Sequence, residues 1–167
     1  MCSGDQPGDS SSGDSGETRE TLTAMRDHWI DDGGDVKELS LAGVPSSVRT
    51  ARHFVRTVLD ETGAEERLID DAVLLASELA TNAVIHAHGD FVVGIEAGVE
   101  WIWVGVVDHA VETAPHTPPS SQSIGGRGLL IVDAVAPRWG AKPIDGSKIV
   151  WFALQRPSRN GHSPAHR

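Results

Sequence analysis

The sequence predicts an α+β protein: a two-layer sandwich in which a mixed, mostly antiparallel sheet carries about three helices on one face. Three observations carry that prediction. Apolar stretches of period two come in neighbouring pairs joined by short turns, so the strands group as hairpins and do not alternate singly with helices. Two long stretches with 3.6-residue apolar spacing, and a third short one, lie between those groups. Residues 1–35 are rich in Gly, Ser and Asp with almost no apolar residues before a short TLTAMRDHWI segment, so the chain divides into a mostly disordered acidic N-terminal tail (1–35), one domain (36–156) and a polar, flexible C-terminal tail (157–167).

Each element follows from local pattern. VKELSLAG (36–43) alternates apolar and polar residues and reads as a first strand ending at a glycine. Pro45, Ser46 and Ser47 then offer a helix start. Val48, Ala51, Val55, Val58 and Leu59 form the apolar stripe of that helix, and Gly63 closes it. A second helix runs from about Glu65 to His86. FVVGIEAG and EWIWVGVVD are strands of an antiparallel hairpin turning near Ala97, Gly98 and Val99. Residues 109–125 hold three prolines and no periodicity, a long stretch of the kind used for lids and binding loops. GRGLLIVDAVAP gives a short helix broken at Pro137, and RWGAKP and SKIVWFALQ are the last two strands.

Composition and charge narrow the function. The first 35 residues hold nine acids and two bases, and the remaining 132 hold fifteen acids and twelve bases. The domain is therefore only mildly acidic and has no basic stripe, which argues against direct nucleic-acid binding. The acidic N-terminus lacks the apolar run of a signal peptide, and no stretch approaches the roughly 20 apolar residues of a membrane span. A single cysteine, Cys2, forms no internal disulfide and fits a reducing compartment. Together these features predict a cytoplasmic protein. Arg49, Arg52 and Arg56 make a basic row on the first helix, either a solvated face or a docking surface for an acidic partner.

The second helix carries the most informative pattern. Leu68, Leu75 and Leu79 share a meridian that predicts the core-facing side, while Arg67, Asp70, Ser77 and Thr81 face away. Asn82 and His86 fall on the same meridian as Leu75, and Glu78 lies about 60° from it. The inward edge thus turns polar within its last turns. One reading is that the helix simply rises out of the core. The other is a cleft lined by an acid and an amide one turn apart. An amide oxygen suits Mg²⁺, and a carboxylate beside it suits deprotonation of a hydroxyl nucleophile. His86, His88 and His109 could suggest zinc, but no cysteine or Glu-x-x-His pattern accompanies them.

Two further features complete the set. GGRG at 125–128 puts glycines and Arg127 at a helix start, where backbone amides and the helix dipole favour an anion. Asp108 ends an apolar strand and either terminates it or accepts a hydrogen bond from an exocyclic amine. Each feature alone also has a purely structural reading.

In order, SELATNAVIHA, VVDHAV, GGRGLLIVDAVAPRWG and GSKIVWF resemble the motifs of the GHKL (histidine-kinase-like) ATPase superfamily, most closely its small stand-alone anti-sigma-factor serine/threonine kinases. The likeness covers about residues 37–155. It implies the histidine-kinase-like ATPase fold, with ATP and Mg²⁺ as cofactors. It also implies roles by position: Glu78 as general base, Asn82 as Mg²⁺ ligand, and Asp108 as reader of the adenine amine. Gly126, Arg127, Gly128 and Leu129 would hold the phosphates, and His86 and Ala110 would line the nucleotide site. The implied partners are a sigma factor and an anti-anti-sigma (STAS-type) protein, with a homodimer possible. The sequence departs from the family at His109-Ala110-Val111-Glu112, where a Gly or Ser often stands two positions after the aspartate and another glycine follows. Two function classes follow: a kinase that is also an anti-sigma factor, favoured by Glu78 with Asn82, and a non-catalytic module that sequesters partners, favoured by the altered stretch after Asp108.

Overall fold

The computed structural model describes residues 34–87, 89–109, 127–144 and 147–157. The two expected tails and the proline-rich loop lie almost entirely outside these residues. The elements are β1 (Val36–Leu41), α1 (Ser46–Glu61), α2 (Glu66–His86), β2 (Phe91–Ala97), β3 (Trp101–Asp108), α3 (Arg127–Val135), β4 (Arg138–Ile144) and β5 (Ser147–Gln155). Each matches a predicted element to within a few residues. Gly63, at φ 63°, takes the left-handed position that closes α1.

The strands form one open sheet in the order β1-β2-β3-β5-β4. All four pairings are antiparallel, so the mixed component of the expected sheet is absent among the described strands. The physical reason is the last hairpin. β4 and β5 pair with each other, and it is β5, the second of them, that docks against β3. β5 thereby runs antiparallel to both neighbours, and β4 becomes an edge.

One face of the sheet receives the helices. Phe91, Val93 and Ile95 of β2, Ile102, Val104 and Val106 of β3, and Phe152 and Leu154 of β5 pack there with α1 and α2. In α1 the predicted stripe is buried at Ala51, Val55, Val58 and Leu59, and Val48 packs at its margin. In α2 the buried arc is centred on Ile69, Ala72, Ala76, Ala80 and Ala83, with Leu75 and Leu79 on its flank. The expected leucine meridian is therefore displaced by roughly 70° from the true centre of the buried face. Alanines occupy the centre because a short side chain lets the helix backbone lie close to the sheet, while the leucines fill the gap at its side. That rotation carries Glu78 and Asn82 off the core and onto the flank.

Arg56 does not join a free basic row. It hydrogen-bonds Glu66 at 2.8 Å and Asp70 in α2, tying the two helices together across their exposed side. Those hydrogen bonds, donated to Glu66 first and Asp70 second, hold its guanidinium above its already high ordinary pKa. Arg49 and Arg52 remain exposed.

Candidate functional site

The site is assembled at one end of the helix-bearing face. Only Ala87–Asp90 separate α2 from β2, whose first residue, Phe91, pairs with Asp108. The C-terminal turns of α2 therefore lie at the Asp108 end of the sheet. Asn82 stands one turn before the end of α2 and Glu78 one turn earlier, both partly exposed. A polar pair at this spacing has no place in the alanine-centred core, and α2 presents it on the flank instead.

Gly128 supplies the closest contact in the site. It is buried in the first turn of α3, and a Cβ built on it would stand 2.6 Å from Glu78 Oε2. No ordinary Cβ comes that near, so the absence of a side chain at 128 lets the Glu78 carboxylate lie directly against the start of α3. The amide-rich, positive end of that helix therefore meets both the carboxylate and any anion that approaches it. Leu129 packs partly into the core, so its backbone alone faces such an anion. Gly126 and Ala110 lie outside the described residues, as does the side chain of Arg127. His86 is exposed in the last turn of α2.

Asp108 is 3% exposed at the end of β3, on the helix-bearing face by its pairing with Phe91. Opposite it in β5 stands Lys148, whose Nζ is 3.6 Å from Asp108 Oδ2. Only 16% of the Lys148 side chain is exposed, so this ion pair is shielded from water and from salt. Next to it, Ser147 Oγ contacts His109 Nδ1 at 3.0 Å. Lys148 is the residue that the sequence-based site misses. Its motif, GSKIVWF, is part of the predicted set, but the β3–β5 register that puts position 148 across from 108 has no local signature.

The donor set fits Mg·ATP. Asn82 offers a hard oxygen, Gly128 leaves a cradle that a methyl group would fill, and Asp108 is a buried acceptor at the mouth of a strand. Among the described residues no group of three or more His, Cys, Asp or Glu gathers as a metal site of its own. No helix among them is long and apolar enough to cross a membrane.

An open antiparallel sheet with three helices on one face, an acid–amide pair on the longest helix and a glycine at the start of the last has the architecture of a GHKL-type ATPase fold. Residues 41–145 match the histidine kinase-like ATPase domain family, and the chain belongs to that family. Among solved structures, the RsbU and RsbW domains of Rv1364c from Mycobacterium tuberculosis are similar at 25% identity and a TM-score of 0.56, over 75% of this chain. The match takes in 33% of that longer chain, so the present chain spans about a third of its length. The SiaB–SiaC complex from Pseudomonas aeruginosa is similar at 17% identity and a TM-score of 0.55, over 84% of this chain and 100% of that one, a likeness of fold. Comparison with curated proteins finds no match.

Proposed function

We propose that the protein is an ATP-dependent serine/threonine kinase that also acts as an anti-sigma factor, phosphorylating a STAS-type anti-anti-sigma protein. The observation that carries the reading is the Glu78 carboxylate set against Gly128 at the start of α3, one helical turn from Asn82. A pure binding module has no need of a carboxylate held beside the phosphate end of a nucleotide cleft. Membership of the histidine kinase-like ATPase family and the likeness to the RsbW domain support the same reading.

When bound, Mg·ATP supplies the phosphoryl group and the metal charge that offsets its oxygens. The chain supplies the rest. Asn82 holds the cation through its side-chain oxygen, and the backbone amides at 127–129 bind phosphate oxygens. Asp108 orients the base by accepting a hydrogen bond from its exocyclic amine. Glu78 would accept the proton of the serine or threonine hydroxyl as its oxygen bonds to the γ-phosphorus and the bond from that phosphorus to ADP breaks, and general-base catalysis of this kind contributes about 10²–10⁴-fold to rate.

Calorimetric titration and label transfer from γ-labelled ATP test the assignment together. Asn82→Ala is expected to abolish Mg·ATP binding while circular dichroism shows the fold intact. Glu78→Ala is expected to keep binding and lose transfer by about 10²-fold or more. A Glu78→Ala protein that still labels its partner removes the base from this position.

One observation favours a second reading, a sequestering module of the same fold. Asp108 already has a cation, Lys148, within 3.6 Å, so an incoming base must compete for that carboxylate. Absence of binding to both Mg·ATP and ADP favours this alternative over the kinase.

A further inference from the structure

The second face of the sheet carries an apolar cluster that none of the three helices reaches. Cross-strand pairing of Glu96 with Trp103, Trp103 with Ala153, Gly105 with Trp151 and Val107 with Ile149 places all these residues on the side away from the core. Among the described residues the cluster contains strand residues only. Two indoles dominate it, and each lies flat across a neighbouring glycine. A Cβ at Gly105 would come within 2.6 Å of the Trp103 ring, and one at Gly140 within 3.1 Å of the Trp151 ring. Side chains on a bare sheet face stay wet on their outer side. Yet Trp103, Ile149 and Ala153 are 0% exposed and even Glu96 is 1% exposed. Trp103 Nε1 is buried without a hydrogen-bond partner among the described residues, which marks its surroundings as dry.

The path of the chain points to what covers this face. Gly34 N donates to Glu96 Oε1 at 3.0 Å, and Glu96 projects from the Trp103 side of the sheet. A Cβ at Gly34 would lie 2.8 Å from Glu96 Cγ and 3.2 Å from Gly98 N. Gly34, the first described residue, thus meets the domain on this face, with 33 residues of sequence before it. Most of them are Gly, Ser and acidic residues, which bury little apolar area. The exception is TLTAMRDHWI at 21–30, where Leu22, Met25 and Trp29 fall at i, i+3 and i+7, one stripe of a helix. Ten helical residues span about 15 Å, the width of roughly three strands. The three residues 31–33 reach about 10 Å, the two strand spacings from β2 to β5.

We propose that residues 21–30 dock as an amphipathic helix on the second face of the sheet, with Leu22, Met25 and Trp29 packed against Trp103, Ile149 and Trp151. The two-layer domain is then closed as three layers by its own N-terminal segment, and the occupant of the face is this chain. A thioether and an indole laid on two flat indoles add sulfur–aromatic and ring–ring contacts to the area they bury. The face lies opposite the nucleotide cleft, so the inference stands apart from the catalytic reading.

Hydrogen–deuterium exchange of the full chain, resolved by peptide, tests it. Amides of 22–30 are expected to exchange at least ~10-fold more slowly than those of 3–16. Leu22→Asp with Trp29→Asp is expected to remove that protection and lower the melting temperature. Exchange of 22–30 as fast as 3–16 in the unmodified protein overturns the proposal, whether or not the double variant folds. Light scattering then separates the remaining occupants: a dimeric mass assigns the face to a second copy, and a monomeric mass to another segment of this chain.

Discussion

A methyl group at position 128 has nowhere to go except into the Glu78 carboxylate, 2.6 Å away. The atom it meets is the far end of a flexible side chain, so the fold can yield cheaply while the carboxylate is displaced. Gly128→Ala is therefore expected to leave the unfolding midpoint in urea nearly unchanged and to reduce phosphoryl transfer sharply, read as label on the partner. Lys148 makes the opposite kind of contact. It shields a buried carboxylate, and Lys148→Met removes a positive charge 3.6 Å from that carboxylate, which is 3% exposed. A loss of about 1–3 kcal/mol is expected from urea unfolding, because a buried charge keeps its desolvation penalty when its partner goes. Glu78, Asn82 and Asp108 were all legible as chemistry, since each is a polar side chain in an apolar setting. Lys148 was not, because a lysine near a chain turn looks like any solvated lysine until the strand across from it is known.

Among the elements, α2 decides where the site can be. Its buried arc runs along Ile69, Ala72, Ala76, Ala80 and Ala83, four of the five being alanines packed in the core. Ala76→Leu is expected to cost about 1–3 kcal/mol by overpacking, measured as a lower unfolding midpoint, and to shift the flank that bears Glu78 and Asn82. The sequence made the existence and length of this helix plain, because 3.6-residue spacing persists over six turns. It placed the leucines on the buried side correctly, with Leu75 and Leu79 in the core, but it missed that alanines hold the centre of that face, because close approach to a sheet favours the smaller side chain. The basic row of α1 shows the same limit: Arg56 is spent on Glu66 and Asp70, residues of another helix.

For the whole molecule, the sheet separates two surfaces with different tasks. The helix-bearing face holds the core and opens at the Asp108 end into the candidate cleft. The other face holds the flat indoles and receives the chain at Gly34. Removal of residues 1–33 is therefore expected to leave Mg-nucleotide affinity unchanged by calorimetry while lowering the melting temperature. A fall in affinity on truncation would show instead that the two faces communicate.

What the sequence determined by itself is everything that depends on neighbours along the chain. Hairpins, helix lengths, the acid–amide spacing on α2 and the glycine start of α3 are all set within a few turns or a few residues, by backbone periodicity and turn chemistry. Tertiary structure alone decided that alanines hold the centre of the buried face of α2, that β5 lies inside β4, that Lys148 meets Asp108, and that Trp103 and Trp151 are hidden on the far side. Those outcomes depend on strand register and on the fit of side chains from distant segments. Period-two and period-3.6 patterns are silent about both.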